Sequence, residues 1–267
     1  MQRRSFVKGS LISGVIAAVA PAVATAQSKP HSNKTHSAEY YELRVYTFKD
    51  QKQQQLTEDF YKDVFVPLVA KQSHQPVGVF TEMNPTGQTK LYVFIPYSSH
   101  TQLEVFNNEL ENNKDYWKLG SAYLNAPASD SAFERLDTSV LKAFKHMPKK
   151  QLPPREQRIF ELRQYKSASE AAGKKKIEMF NDQGEVDIFK RLGFKPVFFG
   201  ETIIGDNRPN LTYMVTFKDI DDKGARWKSF GGDAEWKKIS SVPEYTDALL
   251  VSKITSTMLV PTAYSAI

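Results

Sequence analysis

Polar and apolar residues alternate from Tyr40 to Phe48, the period of a half-buried strand. A polar stretch follows whose apolar residues Leu56, Phe60, Val64 and Leu68 step at helical spacing, and the helix is expected to end near Gln72. Two runs rich in β-branched and aromatic residues, Val77 to Met83 and Lys90 to Ile95, flank Asn84-Pro85-Thr86-Gly87, the composition of a hairpin turn. A second helical region begins after Ser98 and carries Leu103, Phe106 and Leu110, and a last strand is expected around Ser139 to Lys145. The succession then recurs. A strand is expected over 158–165, a helix over 169–192, strands over 195–204 and 211–217, a helical region over 220–239 and a final strand near 249–259.

Specific residues recur with the pattern. Tyr41-Glu42-Leu43-Arg44-Val45-Tyr46 returns as Phe160-Glu161-Leu162-Arg163-Gln164-Tyr165, displaced by 119 positions, and Tyr116-Trp117-Lys118 as Glu235-Trp236-Lys237 at the same displacement. Pro76-Val77-Gly78-Val79-Phe80 corresponds to Pro196-Val197-Phe198-Phe199-Gly200, displaced by 120. Two βαββαβ units in one chain predict an α+β fold with repeats at 39–147 and 157–267, joined by the proline-bearing linker 148–156. Such a unit forms an antiparallel sheet with both helices on one face, so the bare faces of the two sheets are expected to pack on each other as a barrel-like core. Two repeats can cover each other within a monomer, or pair across a homo-oligomer.

Residues 1–26 differ in kind. Arg3 and Arg4 precede an uncharged run from Gly9 to Ala20, and Ala24-Thr25-Ala26 has the small residues of a cleavage site. The apolar run falls short of the ~20 residues of a spanning helix. The reading is an export signal similar to the twin-arginine type, followed by a polar tether at 27–38, a periplasmic or otherwise exported location, and no stable membrane span after cleavage. Removing Arg3, Arg4 and Lys8 lowers the formal charge of +6 to +3. The basic runs Lys149-Lys150 and Lys174-Lys175-Lys176 lack interleaved aromatics and read as solvated faces, so no nucleic-acid partner is expected. With no cysteine, thiolate catalysis, disulfides and Cys-based metal sites are excluded.

Within the repeated strand Leu43 and Val45 share one face, and Glu42, Arg44 and Tyr46 share the other. If the oily face packs on the helices, Glu42, Arg44, Tyr46, Glu161, Arg163 and Tyr165 point between the sheets. There they either bind an anionic or carbonyl-bearing ligand through forked hydrogen bonds or form ion pairs that fix how the halves dock. Tyr92, Phe94, Tyr213, Val215 and Phe217 are expected to line core or cavity, and Trp117 and Trp236 to anchor the second helical regions. Gly231-Gly232 reads as a turn, and no phosphate loop or metal-binding helix is present.

The motif Glu-Leu-Arg-x-Tyr, opening each unit ahead of a Pro-Val strand and an aromatic hairpin, resembles the NIPSNAP family, once per half. The resemblance implies a ferredoxin-like fold of the dimeric α/β barrel superfamily and little defined chemistry. Three functions follow as alternatives: a small-molecule-binding barrel, a non-catalytic interaction module whose interior is filled, and a haem-binding or monooxygenase-like enzyme. No cofactor is predicted; haem requires His74, His100 or His146 to reach a cavity, His31 and His36 lying in the tether.

Overall fold

The computed structural model describes residues 37–72 and 74–267; the expected export signal, most of the tether, His31 and His36 lie outside them. Strand β1 (Tyr40–Thr47) forms where the alternation places it. Asp50 caps the next helix by accepting from the Gln53 amide, and α1 (Gln51–Phe60) runs through a π-helical turn at Tyr61–Phe65 into α2 (Val66–Lys71). β2 (Gly78–Glu82) and β3 (Lys90–Tyr97) make the hairpin, and Ser99 caps α3 (His100–Glu111). Two short helices, α4 (Lys114–Leu119) and α5 (Ser121–Leu124), lead to β4 (Arg135–Ala143).

The second half repeats this order with local differences. β5 (Ile159–Lys166) precedes α6 (Glu170–Asn181) and α7 (Glu185–Arg191). The expected single helix over 169–192 is broken because Gly184, at φ +88°, leaves the right-handed helical region before α7 begins. β6 (Lys195–Ile204), β7 (Asn210–Phe217), α8 (Ile220–Gly232) and α9 (Ala234–Ser240) follow, so Gly231 and Gly232 end a helix and are not a separate turn. α10 (Asp247–Leu250) occupies the start of the expected last strand, and β8 (Lys253–Pro261) begins after it.

The eight strands close into one antiparallel barrel in the order β1-β3-β2-β8-β5-β7-β6-β4. Each half contributes four neighbouring strands in the same order, β4-β1-β3-β2 and β8-β5-β7-β6. The expected barrel-like core is present, with inward faces of both four-stranded sheets meeting in it, and the sheets are in addition hydrogen-bonded to each other along their edges. Phe80 to Glu82 pair with Leu259 to Pro261 at one seam, and Val140 to Ala143 with Gly200 to Ile204 at the other. Pairing satisfies edge N–H and C=O groups that stacked sheets would leave bare.

Eight strands enclose a space just wide enough for side chains to fill. Here Tyr41, Phe94 and Phe198 meet at its centre, with the Phe94 and Phe198 rings stacked 4.6 Å apart, and Phe80 lies 4.9 Å from Phe160. Gly78 admits this packing, since an added Cβ would stand 2.6 Å from the Phe80 ring. Ile267 packs into the same interior. Two further apolar clusters hold the helices of each half against the outside of the barrel. Trp236 joins the second, 4.4 Å from Phe230, whereas Trp117 is 44% exposed and donates its indole N–H to the Glu111 carbonyl, so only one of the two expected anchors is an anchor.

Candidate functional site

The barrel turns the repeated strand opposite to the sequence-based expectation. Tyr41, Leu43, Phe160 and Leu162 pack inside, with Val45 against them, while Glu42, Arg44, Tyr46, Glu161, Arg163 and Tyr165 lie outside, under the helices. A carboxylate deprived of water needs several donors, and the phenylalanine-packed centre of the barrel does not supply them. The helix side does. Arg44 Nε donates to Glu42 Oε1 at 2.7 Å, and the Tyr97 hydroxyl donates to Glu42 Oε2 at 2.7 Å. Arg44 lies over the Phe65 ring and donates to the Tyr61 hydroxyl at 3.4 Å. Tyr46 shares hydrogen bonds with Tyr61 at 2.8 Å and Tyr123 at 2.9 Å, and burial pushes all three phenols up.

In the second half Glu161 is fully buried and accepts from Arg163 at 3.1 Å, Trp227 at 2.7 Å and Ser256 at 2.6 Å. Arg163 also donates to the Tyr165 hydroxyl at 2.9 Å and stacks 4.5 Å from Trp227, yet its Nε has no partner. Beside this strand lie two groups that the sequence reading missed. Lys176, taken as part of a solvated run, is 1% exposed, among the rings of Tyr165, Phe180 and Trp236, and donates to Asp247 at 3.0 Å. Glu185 is 3% exposed, and its Oε2 has no hydrogen-bond partner. Burial pushes its carboxyl up to about 7; Lys176 and Arg163 oppose the rise and Asp247 adds to it. The signal for Lys176 was present as spacing, since Gly173, Lys176 and Phe180 fall on one buried face of α6. Lys150 likewise leaves the solvated class: it packs beside Glu39 at 3.8 Å, and Glu39 Oε2 accepts from the Lys150 amide at 2.8 Å, which fastens the linker to the first strand.

The barrel space opens at a mouth. There the interior positions of β3, β5, β7 and β8 carry polar groups: Tyr92, Gln164, Thr212, Thr255 and Thr257, with Val45 of β1, surround a cavity of ≈ 320 Å³ floored by Leu43 and Leu162. Gln164 Nε2 faces the Thr212 hydroxyl at 3.4 Å, and Tyr92 donates to Glu82 Oε1 at 2.6 Å. At the rim Arg135 pairs with Asp137 at 2.6 Å and Asp206 at 3.5 Å, and Lys90 stands 4.0 Å from Glu82, so both basic groups already have acidic partners. The five residues expected to line core or cavity are all buried, but on two faces: Tyr92 and Phe94 face inward, Tyr92 at the mouth, whereas on β7 the inward residues are Thr212 and Met214, and Tyr213, Val215 and Phe217 face the helices.

The three histidines of the described barrel do not reach the mouth. His74 bonds Glu109 at 3.0 Å against Phe106, His100 packs on Tyr40, and His146 stands 3.8 Å from Asp182. The donor set of the cavity therefore does not fit a histidine-ligated haem. Among the described residues no cluster of His, Asp and Glu has the arrangement of a metal site, and no helix is long and apolar enough to cross a membrane.

In fold the chain is similar to solved structures of low sequence identity. A candidate monooxygenase from Fusobacterium nucleatum superposes with a TM-score of 0.58 at 13% identity, covering 86% of this chain and 95% of that one. Another from Lactobacillus acidophilus gives 0.54 at 10% identity, over 86% and 99%. An anthrone oxidase-like protein gives 0.51 at 10%, over 85% and 93%. No curated protein matches the chain. Residues 160–266, which begin in β5 at the Glu161-Leu162-Arg163-x-Tyr165 strand and run beyond β8, match the NIPSNAP family model.

Proposed function

We propose that the protein binds a small, neutral, carbonyl- or hydroxyl-bearing molecule in the barrel mouth, between the strands of its two halves. The supporting observation is the cavity itself: both halves line it, its floor is apolar, and hydroxyl and amide groups converge on it from separate strands. A pocket of this kind grips the apolar end of a ligand by burial and orients the polar end by a few hydrogen bonds. Arg135 is already paired with two aspartates, which favours a carbonyl over an anion. The Glu-x-Arg-x-Tyr strands, first expected to hold that ligand, serve on this reading as clamps between sheet and helices. The like order of strands in each half fits a tandem NIPSNAP-like repeat, and the leader-like pattern of residues 1–26 is the sequence feature behind an exported location.

A second reading is a monooxygenase-like enzyme, as two of the fold relatives are described. The observation in its favour is Tyr92, which lines the mouth and passes its hydrogen bond to Glu82, a pair able to exchange a proton with a bound substrate.

Val45→Trp fills the mouth from a side chain that already points into it. Small aryl ketones and hydroxyketones, screened by thermal shift, should raise the midpoint of the natural protein and not that of Val45→Trp. Equal shifts in both proteins, or no shift with any of the panel together with a ligand-free native mass, would overturn the binding reading. Turnover of a bound compound that Tyr92→Phe abolishes would decide for the enzyme.

A further inference from the structure

The strand seam beside the mouth is incomplete. β2 and β8 pair from Phe80↔Pro261 to Glu82↔Leu259, and Met83 N–H donates to the Met258 carbonyl at 2.9 Å, but the ladder then stops although β8 extends back to Lys253. Continuing the register would set Pro85 opposite Ser256, and a proline has no N–H to give to a ladder. The chain therefore leaves the seam as the turn at 84–87, and a groove of ≈ 490 Å³ opens between that turn and β8. The other seam shows that barrel closure does not require such a gap. Gly205, which stands where Pro85 does at the displacement of 120, lies so close to β4 that an added Cβ would stand 2.6 Å from the Ser139 hydroxyl oxygen, and Asp206 reaches Arg135 at 3.5 Å.

Main-chain direction alternates along an antiparallel strand, so the bonds from Thr262 N–H to Val79 O and from Met83 N–H to Met258 O, each 2.9 Å, fix which residues of β8 turn toward β2. Ser256, two residues before Met258, turns its N–H and C=O the same way, into the groove, and among the described residues neither takes a main-chain partner there. Glu82, Asn84, Thr86 and Gln88 line the rest of the groove. Lys90 and Thr257 line both the groove and the cavity of the mouth, so the two spaces adjoin.

We propose that this groove is a subsite for an amide-bearing arm on the molecule held in the mouth. It rests on the mouth being the binding site. A secondary amide carries one N–H and one C=O on a planar unit, the complement of the pair that Ser256 offers, and so takes the place of the strand residue that Pro85 cannot be. Of the β8 residues that line the groove, Ser256 alone turns an unpaired edge to it, since Thr257 faces β5 and Met258 already pairs with Met83, so the fit is to one amide unit and not to a strand. An ester has no N–H for the Ser256 carbonyl, and a carboxylate would face Glu82.

Three neutral probes separate the arm from the head: acetophenone with a para-ethyl group, with a para N-methylpropanamide arm, and with the matching methyl ester arm. Calorimetry on the full chain should find the amide bound about tenfold more tightly than the ester, the worth of one well-made hydrogen bond. Thr86→Trp changes an exposed residue that lines the groove and not the mouth; it should remove that margin and leave the affinity of the ethyl compound unchanged. Hydrogen exchange reads the same contact without a variant, since the Ser256 N–H should exchange about tenfold more slowly under saturating amide and unchanged under the ethyl compound. If the ethyl compound binds and the amide has no margin over the ester, or the margin survives Thr86→Trp, or the Ser256 N–H gains no protection, the subsite is overturned and the mouth stands. If none of the three binds, the mouth reading falls and the subsite falls with it.

Discussion

Replacing Glu185 by glutamine should stabilise the protein at alkaline pH. The folded state holds the Glu185 carboxyl at about 7 against an ordinary 4.5, because burial removes water from the charged form. A difference of about 2.5 units is worth ~3 kcal/mol at ~1.4 kcal/mol per unit. The sign follows from proton counting. Between pH 4.5 and 7 the unfolded chain has already released this proton and the folded chain retains it, so stability falls as pH rises through that window and is level above it. Glutamine matches the protonated side chain in shape and does not ionise. Urea unfolding of both proteins should therefore give equal free energies near pH 4.5 and an advantage of ~3 kcal/mol for Glu185→Gln at pH 8, the other titrating groups cancelling in the difference. If Glu185→Gln is the less stable protein at pH 8, the ionised carboxylate is held well by Lys176 and Arg163, and the argument from desolvation is wrong.

Two further expectations use the same assay. Arg44→Ala leaves Glu42 buried with Tyr97 as its remaining donor and should lose ~3 kcal/mol, the cost of an uncompensated buried charge; a loss under ~0.5 kcal/mol would show that Glu42 is reached by water. Gly184→Ala meets no atom within 4 Å, so its cost is purely that of a left-handed backbone, ~1–2 kcal/mol, and an unchanged unfolding midpoint would show that α6 and α7 are not separated in this way.

Much of the architecture was legible because it is local. Alternation placed β1, β5 and β7, apolar steps of three and four placed the helices, and the recurrence of Glu-Leu-Arg-x-Tyr divided the chain into halves with one strand order. Helix breaks were harder. Gly184 and the α10 turn interrupt segments that periodicity joins, since a one-residue change of backbone hand barely alters a hydrophobic pattern.

The sequence by itself determined which residues of the repeated strand share a face: Leu43 with Val45, and Glu42 with Arg44 and Tyr46. It did not determine which face is inside. Both sides of that strand are buried, one by the opposite wall of the barrel and one by helices, and alternation is identical in the two arrangements. Only closure of the barrel decided it, by bringing Tyr97, Ser256 and Trp227 from distant segments to satisfy the carboxylates on the helix side and leaving the interior to phenylalanines. The mouth and the burial of the Glu185 carboxyl arise in the same way. Each depends on side chains tens of residues apart meeting without water, and it is that burial, which no linear pattern records, that turns threonines into a pocket and an ordinary glutamate into a group that titrates near neutrality.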